Sequence, residues 1–499
     1  MSGIRTTYSG LVSVSVGLIT ILTGLVCSLI ITRTLSMEEY GTWSLIIGIL
    51  LYAVIIEPMI SYWSTRETAR SENSQKTSIF AAGLFSSIGM ILYLITLLII
   101  SNGLSINTEI IIFGMILVPG MFLYKVVYSI NLGWKPHLAS YGFLISEVVK
   151  VPIVLTLVYF FNMGVVGVII TFFIAQNMSI IFQIYILREK IKGKIQIKYI
   201  RKWLKLSWLT LYTPLSNLIY RTDILIFAVF SESITGLAIF AVSTIVSGII
   251  SIADNIVIPT YAKLLAGDKE KYLKENLTLM LYFAIPLGLL SITFAKPALF
   301  LLNPIYEGAS IVVIIITIKI FFSSLVNIFQ QYIWGNDKVD KEIEVDTKKF
   351  LKSSIFKIPT LKIIDYSGYM ILLIVGLIIL KQNSVTELDY VIYWASLSAI
   401  IQIPLLIYLG IKVRKELKIT VDFKSVLKYI LTGIMVFSVS VIITEEFLIY
   451  NNSIFEFLPQ LLLFVIIPIT LYIIITYVID RRTKNLIHAV IKEIKKLVV

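Results

Sequence analysis

Apolar runs of bilayer-spanning length recur along this chain, and positive charge falls almost entirely in every second gap between them. A run of about 20 apolar residues is long enough to cross a hydrocarbon core as a helix. Cytoplasmic loops retain Lys and Arg, so a correct set of spans must make loop charge alternate. It does so here. Cations stand at Arg5, at Arg66, Arg70 and Lys76, at Lys135, and in dense groups over 188–205, 263–274, 338–352, 412–424 and 481–496. The intervening gaps carry none, except for the single residues Arg33 and Lys381. The pattern predicts about fourteen crossings with both termini in the cytoplasm. The spans are 10–31, 41–61, 78–101, 108–130, 139–161, 164–187, 206–230, 235–258, 278–302, 308–333, 353–380, 388–411, 425–443 and 455–479.

The same pattern accounts for the net charge of +13. The cations are loop anchors facing anionic lipid, so no nucleic-acid partner is expected. The first run is too long for a signal peptide and has no small-residue cleavage site after it. Cys27 is the only cysteine, and His137 and His488 are the only histidines. A zinc site built on those ligands is therefore not expected, nor is any other metal or cofactor.

The basic stretch Arg188–Lys205 divides the chain into halves. It mixes Ile197, Tyr199, Trp203 and Leu204 with lysines, which suits either a helix lying in the membrane interface or a solvated linker. Ser36–Gly41 and Ser231–Gly236 both place serine five residues before glycine in a predicted outer hairpin, six spans apart. An even offset makes the halves parallel repeats, as in two-bundle transporters. The expected fold is thus all-α and polytopic, with two six-helix bundles and two further helices. Its parts are 1–187, a cytoplasmic linker 188–205, 206–411, and 412–499 with a basic tail.

Ionisable groups inside a span are costly and become candidates for function unless they snorkel or pair. Glu147 and Lys150 share a helix face, so they are either a neutralising structural pair or a lumenal cation with its counter-ion. Arg221 and Asp223 are two residues apart and cannot face each other on one helix. At least one should face a polar cavity or a neighbouring helix. Lys319 lies mid-span, too deep to reach an interface easily. Lys125, Lys296 and Lys428 are near enough to span ends to snorkel. Glu57 and Asp254 near the cytoplasmic side are gate or structural acids. Asp365 follows Lys357 and Lys362, where an internal ion pair is expected. Prolines 119, 152, 214, 286, 404 and 468 fall within spans, where a kink is tolerated if protein or a cavity re-satisfies the backbone.

Several segments resemble a known family. Arg33-Thr-Leu-Ser-Met-Glu-Glu-Tyr-Gly41 resembles the first hairpin of the polysaccharide and oligosaccharide-lipid flippases. Asp223-Ile-Leu-Ile-Phe, Gly236-Leu-Ala-Ile-Phe-Ala-Val and Ile258-Pro-Thr-Tyr-Ala-Lys-Leu264 are similar to that family's seventh-to-eighth span block. Phe294–Leu302 with Tyr306-Glu-Gly-Ala309 is similar to its ninth-to-tenth span hairpin. The likeness runs from the first span to about the twelfth, and the charged segment Asp337–Lys352 departs from it in length. The resemblance implies the multidrug/oligosaccharidyl-lipid/polysaccharide exporter fold, with a cavity open to one side at a time. It implies a cell-membrane transporter, not an enzyme, whose substrate is a glycan on an undecaprenyl or dolichyl phosphate or diphosphate. It also implies that Asp223 occupies the family's span-seven acid position and Arg33 its hairpin arginine.

On membrane physics, Arg221 and Lys319, with Lys150, are the candidate binders of the anionic head group, because guanidinium and ammonium groups bond phosphate strongly, and the resemblance adds Arg33 to them. Asp223, Glu57, Asp254 and Glu147 are the candidate coupling or gating acids, served by a proton or sodium gradient. One charge crossing 100 mV releases about 2.3 kcal/mol, enough to bias alternating access. The chain is expected to work as a monomer among membrane lipids. A cation-coupled exporter of small drugs or metabolites is the alternative on the same fold.

Overall fold

A computed structural model describes residues 3–101, 107–256, 270–336, 353–383, 385–417 and 423–485, with 351 and 488. The family-like segment Ile258–Leu264 and, apart from residue 351, the charged segment Asp337–Lys352 lie outside the described residues. Helix is the only regular secondary structure among the described residues. The helices are α1 (Gly3–Thr34), α2 (Met37–Ala53), α3 (Pro58–Ala69), α4 (Gln75–Ser101), α5 (Thr108–Gly114) and α6 (Leu117–Trp134). Next come α7 (Pro136–Val154), α8 (Gly164–Leu187), α9 (Ile197–Lys205), α10 (Ser207–Arg221), α11 (Asp223–Ser231) and α12 (Ile234–Ser247). The remainder are α13 (Glu270–Thr293), α14 (Ala295–Leu302), α15 (Ser310–Asn336), α16 (Ser354–Gln382), α17 (Glu387–Ile400), α18 (Gln402–Leu417), α19 (Phe423–Phe447) and α20 (Ile454–Ile479).

Each of the predicted apolar stretches contains helix. Among the described residues, eleven helices are long and apolar enough to cross a membrane, or twelve if α2 and α3 form one bent span. The apolar part of α1, Ile19–Thr34, is shorter. The α10–α11 stretch is interrupted at Thr222. Large apolar side chains such as Leu98, Ile99, Leu463 and Val478 point outward. That inversion of the soluble pattern is stable only with lipid as the solvent, and the chain is a multi-pass membrane protein.

The chain divides into two compact units. The first comprises Met1–Ala238 and Tyr366–Tyr390, and the second Ile239–Asp365 and Val391–Val499. In the first, α6 packs against α3, α4, α7 and α8, and α10 and α11 pack against α2 and α3 or α4. In the second, α13, α15, α18, α19 and α20 enclose a core that includes Met280, Tyr332, Leu409, Tyr429 and Tyr472. Its last two helices join Phe437, Phe457 and Leu461 to Phe294 and Phe300.

The hairpin between α1 and α2 is a complete capping box. Ser36 Oγ accepts from Glu39 N at 3.2 Å, and the Glu39 carboxylate accepts from Ser36 N at 2.9 Å, so two orphan helix-end donors are satisfied. At the α11–α12 hairpin the matching cap is Ser233, whose Oγ accepts from Gly236 N at 2.9 Å. Ser231 instead bonds Phe227 O at 2.6 Å. The structural counterpart of Ser36 is therefore Ser233, and the shared serine-to-glycine spacing is not the equivalence. The two hairpins touch: a Cβ on Gly41 would overlap the backbone carbonyl of Ile234.

The basic stretch after α8 runs through turns and irregular backbone over 188–196 and then forms α9. Over Ile197–Lys205, Tyr199, Ile200 and Trp203 lie on the buried face. Glu67 Oε1 accepts from Trp203 Nε1 at 3.2 Å and from Lys202 Nζ at 3.1 Å, pinning α9 to α3. Trp203→Ala removes a fully buried indole and leaves Glu67 short of a donor, so a loss of about 3–5 kcal/mol is expected. Thermal unfolding of the detergent-purified protein checks it. An unchanged melting temperature would mean that α9 contributes nothing to the first unit.

Candidate functional site

The site grows from a break in a helix. Pro58 has no amide N–H, so it is suited to the first turn of a helix and not to its interior. Here α2 stops at Ala53 and α3 restarts at Pro58, bent by 62°. Glu57 stands in the break and is only 2% exposed. Lys125 of α6 places its Nζ 3.6 Å from Glu57 Oε2. Glu57 Oε1 makes no hydrogen bond among the described residues. A buried acceptor left in that state costs about 1–3 kcal/mol, and it remains able to take a donor or a proton.

The pair opens onto a cleft of about 340 Å³ lined by Glu57, Ser61, Tyr124, Lys125, Tyr128, Ser129 and Phe143. Tyr124 and Tyr128 are one turn apart on α6, with ring centroids 6.4 Å apart. The ammonium of Lys125 faces the open side, its side chain 41% exposed against 3% for Glu57. The cleft thus offers a cation, a carboxylate, hydroxyls and aromatic faces in one place.

A second ion pair lies nearby on α7. Lys150 Nζ is 2.5 Å from Glu147 Oε1, and both side chains are largely buried. The ammonium also lies 5.0 Å from the Phe172 ring, which packs on Trp43. α7 packs against both α1 and α6, so the three helices share this interior. Charges in hydrocarbon surroundings are tolerated when paired, and each of these cations has its acid.

Asp223 forms a separate cluster in the same unit. The helix breaks after Arg221, and Asp223 begins α11, where the helix dipole favours an anion. It is 3% exposed and accepts from Tyr369 Oη at 3.0 Å. Tyr52 Oη donates to the neighbouring Thr222 Oγ1 at 2.5 Å. Tyr220 packs against Tyr366 and Tyr369. Arg221 is exposed where Asp223 is buried, and the acid accepts from tyrosine.

The other predicted residues lie elsewhere. Lys319 and Asp254 belong to the second unit. Lys319 Nζ is 5.3 Å from the Phe240 ring, which stacks on Trp394 at 3.7 Å. Asp254 sits in the 3-10 segment Gly248–Ile256, and its Oδ1 makes no hydrogen bond among the described residues. Arg33 is half-buried at the end of α1, three residues before the capping serine. Lys381, the other exception to the charge rule, pairs with Glu232 at 2.7 Å. The ion pair expected at Asp365 does not form with Lys357 or Lys362, and its Oδ2 makes no hydrogen bond among the described residues. Lys362 is buried.

Sequence reasoning gives Lys125 a snorkelling role and passes over Tyr124, Tyr128 and Tyr369. A signal exists for the first three: a Tyr-Lys-x-x-Tyr stripe keeps one helix face polar within an apolar span. Nothing local marks Tyr369 as the partner of Asp223, which is 146 residues away.

No family model matches the sequence, and no curated protein matches it. Solved structures do. The lipid II flippase MurJ in its inward closed conformation superimposes with a TM-score of 0.66 at 17% identity, over 95% of this chain and 99% of that one. The chain has the fold of the MOP superfamily. An inward-facing multidrug resistance MATE family transporter of that superfamily matches with a TM-score of 0.58 at 13% identity, over 81% of this chain and 98% of its own. A MATE in its straight conformation reaches 0.51 at 14% identity, over 83% and 95%. The MOP fold matches the expected superfamily. A match to MurJ over 95% of this chain extends into its last two helices.

Proposed function

We propose that this protein is a flippase for an anionic, lipid-linked oligosaccharide, moved from the cytoplasmic to the outer leaflet by alternating access. The observation that carries the reading is the Glu57–Lys125 cleft with its two tyrosines. A polyprenyl phosphate or diphosphate head group needs a cation that is available but electrostatically balanced when the site is empty, and Lys125 beside Glu57 meets that need. The sugar needs hydroxyl partners and aromatic faces, which Ser61, Ser129, Tyr124 and Tyr128 supply. Lys150 with Glu147 extends the same charge logic deeper into the unit. The fold shared with a lipid II flippase supports a lipid-borne substrate. In this reading both termini are cytoplasmic, the protein acts as a monomer in the cell membrane, and Asp223 or Glu57 exchanges a proton or sodium ion to drive the cycle.

Export of small organic cations is the second reading, favoured by the buried carboxylate Asp223 and by the MATE likeness. Proteoliposomes separate the two. Translocation of a polyprenyl-diphosphate oligosaccharide, with no uptake of organic cations, is expected. Cation uptake without glycolipid movement would overturn the flippase reading. In the same assay Lys150→Gln is expected to slow translocation about tenfold, the size of one charge-assisted contact. Full rates at normal expression would remove Lys150 from head-group binding.

A further inference from the structure

The second unit contains a pocket that the transport site does not use. It has a volume of about 520 Å³ and is lined by Thr278, Leu279, Tyr282, Tyr429, Arg482, Thr483 and Asn485. It lies where α20 ends, beside the starts of α13 and α19. We infer that this pocket binds the phosphate head group of an anionic bilayer lipid, with Arg482 as its principal ligand.

Three observations support the inference. The first is charge. Lys428, Arg481, Arg482 and Lys484 are lining residues or their immediate chain neighbours, and the acid Asp480 stands two positions before Arg482. That acid is already saturated: it accepts from Tyr429 Oη at 2.9 Å, Ser425 Oγ at 3.2 Å and Thr483 N at 3.1 Å. Burial would raise its carboxyl, but these bonds outweigh burial and hold it below the usual carboxylate range. Asp480 therefore stays ionised at neutral pH and balances Lys428, whose Nζ is 3.6 Å from it and donates to Ile479 O at 2.8 Å. The charge around the pocket remains positive after that pairing.

The second observation is the chemistry of the lining. Asn485 and Thr278 line the pocket beside the guanidinium, polar groups of the kind that recognise phosphate oxygens, while the Thr483 N–H and hydroxyl both donate to Asp480 and hold the loop in place. The Tyr429 and Tyr282 rings, packed on Tyr472, form a rigid floor. The third is position. Leu427, Ile430, Leu431, Val478 and Ile479, within one turn of the pocket residues, expose their side chains outward. A ligand with its phosphate on Arg482 thus meets an apolar face suited to acyl chains, which favours a membrane lipid over a soluble phosphate.

Native mass spectrometry of the full chain in detergent tests this, using phosphatidylglycerol, phosphatidylcholine with the same acyl chains, and inorganic phosphate. Phosphatidylglycerol is expected to bind in preference to phosphatidylcholine. Arg482→Gln should weaken it about tenfold, the worth of one charge-assisted contact. Arg188→Gln, a cation on another loop, should leave it unchanged. If Arg482→Gln does not fold, Asn485→Asp, which adds an acid at the rim without changing volume, should weaken binding comparably. Equal binding of the two lipids, displacement of phosphatidylglycerol by millimolar phosphate, or unchanged affinity in a folded variant would overturn the inference.

Discussion

Lys125→Ala is expected to lower glycolipid translocation about 10- to 100-fold and also to lower the yield of folded protein. The two losses have different causes, and a second substitution separates them. Removing the ammonium leaves Glu57 buried without its counter-charge, and because Lys125 is half-exposed the cost falls below the ~3–5 kcal/mol of a fully buried pair. Glu57→Gln in the same chain removes the stranded charge, and replacing both partners of a buried pair is often neutral for stability. Folded yield should therefore recover in the Glu57→Gln, Lys125→Ala double variant. Transport should not, because the cleft then lacks the cation that meets the phosphate and the acid that balances it. Size-exclusion profiles report the first quantity and proteoliposome translocation the second. A double variant that recovers both would reduce Glu57 and Lys125 to a structural pair.

Gly41→Val is expected to abolish well-folded protein. The glycine abuts a backbone carbonyl, Ile234 O, which cannot rotate away as a side chain would. Overpacking a closed contact typically costs about 1–3 kcal/mol; a bulky β-branched side chain against fixed backbone should fall at or above the upper end of that range. Gly83→Ala on α4 is the matched control, since no atom stands within 4 Å of its added Cβ. It should be neutral or slightly stabilising. Thermal unfolding of both variants in one detergent checks the contrast, and equal melting temperatures would mean the hairpins can separate without cost.

The legible and illegible parts of the site divide along a physical line. Asp223, Glu57, Glu147 and Lys150 are conspicuous in the sequence because an ionised side chain in an apolar run is expensive anywhere in a bilayer. The Glu147–Lys150 pair is legible for a further reason: its partners are three residues apart on one helix. The Glu57–Lys125 and Asp223–Tyr369 contacts join different helices, and no periodicity encodes such a meeting. Arg221 illustrates the same limit. Its spacing from Asp223 excludes a pair along a continuous helix, but the break at Thr222 that turns the acid toward Tyr369 depends on packing.

Hydropathy is sufficient to dictate the helical, membrane-spanning class of this chain, because hydrocarbon offers no partner for a backbone N–H or C=O and each apolar run must bond within itself. That constraint is local, so it can be read one run at a time. Which buried charges find a counter-charge, which hairpins touch, and which face of α9 lies against Glu67 are decided by side chains meeting across helices distant in sequence. Those meetings follow from packing geometry, and only the tertiary structure carries them.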